Sequence, residues 1–125
     1  MAVQGRDQDG RAQQAWTDLQ YAPAGGARSN MRTTAELTQE LLDGSAPGAA
    51  SPNPVVDFSS DRKARIGAGW LTSSVHGRTV TWHYGATGGF SSWIGMDRDR
   101  KTAIVVEGAT TCPLDETGKA LLLCH

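Results

Sequence analysis

The feature that most constrains this chain is a run of period-two alternation between residues 78 and 106, broken only by short connections. "RTVTWHY" (78–84), "FSSWIGM" (90–96) and "KTAIVV" (101–106) read as strands joined by "GATGG" and "DRDR"; a further strand, "RIGAGWLT" (65–72), leads in through "SSVHG". Connections that short cannot carry the chain back across a sheet, so the strands must form an antiparallel meander. Alternation in "TVTWHY" sends Val80, Trp82 and Tyr84 to one face and Thr79, Thr81 and His83 to the other.

Helix signals flank the meander. Thr33 and Glu36 have capping-box spacing, Leu37, Leu41 and Leu42 form an apolar stripe, and Gly44 is a stop, which predicts a helix over 33–43. "LDETGKALLLCH" predicts a closing helix with Leu114, Leu121 and Leu122 on or near one face. Residues 2–20 read as a turn-rich lead-in, with "RDQDGR" a hairpin tip and Trp16 and Leu19 its large anchors. "YAPAGGARSN" reads as a loop in which Pro23 and Gly25-Gly26 exclude regular structure, and 44–54 as an internal loop. The expected class is α+β, an antiparallel β-meander flanked by helices. The 125 residues have room for one domain and not two.

Charge and cysteine usage exclude several functions. Twelve Lys plus Arg against thirteen Asp plus Glu, with no long run of either sign, give no footprint for nucleic acid or an anionic membrane. The opening "MAVQGRDQDGRAQQ" has no apolar core of the signal-peptide kind, and no later segment approaches a membrane span, so the chain as written is expected to stay in the cytoplasm. Cys112 and Cys124 have no Cys/His spacing of the zinc type, and with His125 they make only a weak metal set, so buried or simply free thiols and no metal are expected. "GATGGF" lacks the Lys-Ser/Thr of a P-loop and "GAGWLT" breaks the dinucleotide fingerprint, so no cofactor is expected either.

"HYGATGGFSSW", residues 83–93, is the stretch that points to chemistry. A histidine at a strand end, beside glycines that let backbone N–H groups approach a ligand, is a site candidate; a half-exposed strand histidine is the bland alternative. The order of "APAGGARS", a helix ending "LLDG", "GAGW", "HYGATGGFSSW" and "TAIVV" resembles the C-terminal part of the serine β-lactamase-like family, which includes class C β-lactamases, D-alanyl-D-alanine carboxypeptidases and related esterases. "HYGATGGF" resembles that family's third active-site motif, Lys-Thr-Gly or His-x-Gly followed by Thr-Gly-Gly.

The resemblance implies roles for five residues. His83 takes the place of the family's Lys or His and would donate to the nucleophile network or to a substrate carboxylate. An imidazole carries its charge conditionally near neutral pH where an ammonium does not. Tyr84 stands where a small hydroxyl residue holds that carboxylate, a departure that leaves an esterase-like member open. Gly85 would allow close approach to substrate, the Ala86 N–H would be one of two oxyanion donors, and Thr87 would complete the binding strand. The implied substrate is a small-molecule amide or ester, cleaved by acyl transfer to serine without a metal.

The family's chemistry also needs a Ser-x-x-Lys at a helix start, with a Tyr-x-Asn or Tyr-x-Ser partner. Ser60-Asp61-Arg62-Lys63 has the spacing, but it is polar, leads into a strand, stands shortly before His83, and surrounds Lys63 with Arg62 and Arg65. It reads as a decoy, and no Tyr-x-Asn is present. The expectation is therefore a single partial domain over 1–125, inactive alone, whose nucleophile belongs to a missing N-terminal segment. The alternative is a non-catalytic remnant or binding module. Because "TAIVV" is apolar on both faces, layers are expected on both sides of it, and apolar sheet surface is expected to stay open elsewhere.

Overall fold

A computed structural model describes residues 3–17, 22–61 and 63–125; Leu19 and Arg62 lie outside the described residues. In chain order the elements are α1 (Ala22–Gly25), α2 (Met31–Asp43), β1 (Val56–Asp57), β2 (Ala64–Ile66), β3 (Leu71–Val75), β4 (Arg78–Thr87), β5 (Phe90–Asp97), β6 (Thr102–Gly108) and α3 (Asp115–Leu123). The six strands form one antiparallel sheet in sequence order, β1-β2-β3-β4-β5-β6, so the class is α+β.

Tight turns set the register. His76 and Gly77 join β3 to β4 with φ of 49° and 77°, the two positive values that a primed hairpin turn demands. Gly88 and Gly89 alone join β4 to β5, with Thr87 opposite Phe90. "GATGG" is thus not a connecting loop as expected: Gly85, Ala86 and Thr87 are extended in β4, because a two-residue turn needs only the last two glycines. The expected strand 65–72 is likewise two strands. The chain folds back between Gly67 and Trp70, where the Gly67 N–H donates to the Trp70 carbonyl at 2.8 Å.

The helices also depart from expectation in detail. α2 begins at Met31, because the Asn30 side chain accepts from the Thr33 N–H at 3.1 Å and caps the helix ahead of the Thr33 box. Its buried stripe is rotated: Leu37 is 47% exposed and Thr38 only 2%. Thr38 tolerates burial since its hydroxyl donates to the Thr34 carbonyl at 2.7 Å. The segment expected to be irregular around Pro23 holds one helical turn, α1, with Pro23 in the first turn, where a missing N–H costs nothing. Thr81, assigned to the polar face, is buried there with its hydroxyl 3.1 Å from that of Thr72.

Each face of the sheet carries a helix. Under α3, Val80, Trp93 and Leu122 form a buried cluster with Trp82, Ile104 and Leu114 packed around it. The Trp93 indole fills a slot between Gly95 and Gly118, and a Cβ on either glycine would overlap the ring. Under α2, Leu41, Ala46 and Met96 form a second cluster, with Trp70 and Ala103 against it. β6 packs against both helices, as its two apolar faces predict. At the sheet's far end Arg78 Nε donates to Asp97 Oδ2 at 2.7 Å, and Arg78 Nη1 donates to the Leu123 carbonyl at 3.1 Å, tying β4, β5 and the end of α3 together.

The N-terminal hairpin, with Arg6 opposite Ala12, lies against the β4–β5 turn: the Arg6 N–H lies 3.2 Å from the carbonyls of Gly89 and Ala109. At the opposite margin Val55, Val56 and Phe58 expose apolar surface along β1. No helix among the described residues is long and apolar enough to cross a membrane.

Candidate functional site on the open edge of strand β4

β4 is ten residues long and β3 only five, and that mismatch leaves half of β4 without a β3 partner. The β3–β4 ladder runs from Val75 opposite Arg78 to Leu71 opposite Trp82 and stops. Beyond it, residues 83–87 are paired with β5 alone. The two-residue turn makes Thr87 and Phe90 a mutually hydrogen-bonded pair, so Gly85 and His83 also bond to β5 and the intervening Tyr84 and Ala86 aim their N–H and C=O groups the other way. Among the described residues nothing pairs with those groups, which lie along an open strand edge.

The five residues expected at the site surround this edge. By alternation His83, Gly85 and Thr87 are on the α2 face, and Tyr84 and Ala86 on the α3 face. His83 is exposed and meets Trp70 edge-on, with ring centroids 6.2 Å apart at 68°. Trp70 packs against the Leu41, Ala46 and Met96 cluster and so gives the exposed imidazole an anchored neighbour. Gly85 lies against Ser92, whose Oγ would be 2.9 Å from an added Cβ. Thr87 faces Gly25 of α1. Tyr84 is 53% exposed and stacks on Trp82, with centroids 6.1 Å apart.

Ser60 and Lys63 are elsewhere. They belong to the turn between β1 and β2, beyond β3 from the site and at the other end of the sheet, since Ala64 is level with Ser73 and therefore with Val80. Lys63 Nζ lies 3.4 Å from Asp61 Oδ2, and the Lys63 N–H donates to Asp61 Oδ1 at 3.1 Å. The Ser59 hydroxyl, first, and then the Lys63 backbone hold the Asp61 carboxyl below its ordinary range. Ser60 is exposed and stands at no helix start.

Two features of the site escaped the sequence. The open edge follows from the length of β3, which the "GAG" before Trp70 sets by folding the chain back; that fold-back was the available signal. The ring contacts of Trp70 and Trp82 with His83 and Tyr84 follow from register, which no short motif encodes. Cys112 and Cys124 are exposed free thiols, and no group of three or more His, Cys, Asp or Glu among the described residues is placed to hold a metal ion.

The fold is α+β, with His83 and the outward backbone groups of Tyr84 and Ala86 beside a glycine turn. A protein-family model described as Beta-lactamase matches residues 1–113, and the chain belongs to that family. No curated protein and no solved structure matches it.

Proposed function

We propose that this chain carries the strand wall of a serine-hydrolase site that acts on a small amide or ester, and that the nucleophile comes from polypeptide outside these residues. The observation that carries this reading is the open half of β4. A substrate amide laid beside it would find the outward N–H and C=O groups of Tyr84 and Ala86, with His83 at the near end. The outward Ala86 N–H would serve as one oxyanion donor, and the second would come with the nucleophile. His83 would donate to a substrate carboxylate or to the nucleophile network, and Gly85 leaves the strand free of a side chain between them. The fold would be the C-terminal part of the β-lactamase/transpeptidase-like architecture. The outer edge of β6, unpaired among the described residues, leaves room for a further strand.

Ser60 does not serve as nucleophile in this reading, because it lies at the opposite end of the sheet and Lys63 is engaged by Asp61. The test is hydrolysis of p-nitrophenyl acetate and of a chromogenic β-lactam by the purified chain. The expected result is no turnover above buffer, and gain of turnover when a polypeptide bearing a Ser-x-x-Lys helix is co-expressed with it. Turnover by the chain alone that disappears in Ser60→Ala would overturn the assignment.

A further inference from the structure

We infer that Tyr84, backed by Trp82, forms a subsite for an aromatic substituent of the substrate on the α3 face of the β4 edge. This rests on the reading of that edge given above and names the substrate class it would select. Trp70, His83, Tyr84 and Trp82 make successive ring contacts, with centroids 6.2, 6.1 and 6.1 Å apart, that pass around the open edge from one face of the sheet to the other.

On the α3 face the rings are built as a platform. Trp82 is half-buried and held in orientation, since its Nε1 donates to Ser73 Oγ at 3.0 Å and Lys119 Nζ lies 5.5 Å from its ring centroid. Tyr84 lies on it at an interplanar angle of 30° with half its surface in water. An extended amide paired with β4 places its substituents alternately on the two faces, so a group level with Tyr84 falls on the exposed ring. A planar arene there covers apolar surface that is otherwise wet and adds an offset-stacked contact. A small aliphatic group covers little of the platform. The chemistry that fits is an N-aroyl amino acid or the corresponding ester.

The full chain is titrated with N-benzoylglycine and with N-acetylglycine, following the backbone amides of Tyr84 and Ala86 and the indole N–H of Trp82 by NMR. Both compounds are expected to shift the two backbone amides. Only the benzoyl compound shifts the indole, and it binds about fivefold more tightly, the gain of one aromatic pair. Tyr84→Thr removes that difference and Tyr84→Phe retains it. Equal affinity for the two compounds with both edge amides shifting would overturn the subsite and leave the edge reading standing. A preference that survives Tyr84→Thr and vanishes in Trp70→Leu would place the arene on the other face and also overturn it. If neither compound moves the Tyr84 and Ala86 amides, the edge reading fails and the subsite with it.

Discussion

The two halves of β4 are one strand with one alternation pattern and opposite surroundings. From Arg78 to Trp82 it is flanked by β3 and β5, with Val80 and Thr81 buried and Arg78 tied to Asp97 and α3. From His83 to Thr87 it has β5 on one side and nothing from β3 on the other, and His83, Tyr84 and Ala86 are exposed. The difference originates outside the strand, in the turn at Gly67–Trp70 that makes β3 short. The first half holds the fold, and the second leaves backbone and rings exposed, where the proposed ligand would bind. Substitutions in the two halves should therefore fall into separate ranges of stability.

The largest effect is expected at the anchored end. Asp97 is buried, and Asp97→Ala leaves the Arg78 guanidinium without its carboxylate, a change that typically costs about 3–5 kcal/mol and is read from urea denaturation. A pH series checks the same pair. Burial pushes the Asp97 carboxyl up, but the Arg78 hydrogen bond, the Arg100 backbone N–H and the charges of both arginines outweigh it and hold the group below its ordinary value. The folded state thus binds this proton less readily than the unfolded state. The stabilisation is present above the unfolded value, about 3.9, and is lost as pH falls through the lower folded one. The decline of stability in acid should be visibly flatter in Asp97→Ala. An unchanged acid profile would mean that the pair does not anchor this end.

Gly118→Ala comes next and separates helix propensity from packing. In an isolated helix the change would stabilise by about 1 kcal/mol. In α3 the new methyl would meet the Trp93 ring, and overpacking of this kind costs about 1–3 kcal/mol. A fall in Tm is expected. A rise would show that α3 sits on the sheet more loosely than the Trp93 slot implies.

The antiparallel order of β3 to β6 and the two main helices were legible because each rests on local chemistry, in period-two runs, turn glycines and a helix stop at Gly44, whereas β1 and the split of 65–72 into β2 and β3 were not. What could not be read were comparisons between elements. Leu37 and Thr38 exchange places at the α2 interface because the docking angle of the helix, not its composition, decides which face is covered. His83, Tyr84, Gly85, Ala86 and Thr87 were readable as a motif, but their arrangement around an open edge depends on the relative lengths of β3 and β4. The turn "GATGG" was misread for a related reason, since only the pairing of Thr87 with Phe90 shows which glycines the bend consumes.

The smallest stability change is expected where the proposed chemistry is concentrated. The His83 side chain is exposed, lies against the rings of Trp70 and Tyr84, and makes no hydrogen bond among the described residues. His83→Ala should then alter stability by no more than about 0.5 kcal/mol. Hydrogen exchange probes the same contrast without mutation. The Val80 and Trp82 amides, bonded to β3, should exchange only on opening of the sheet, whereas those of Tyr84 and Ala86, aimed at the open edge, should exchange far sooner. Equal protection along β4 would mean that another segment covers the edge, and a large loss of stability in His83→Ala would make that residue part of the framework. Either result would remove the division of labour within the strand on which the proposed site depends.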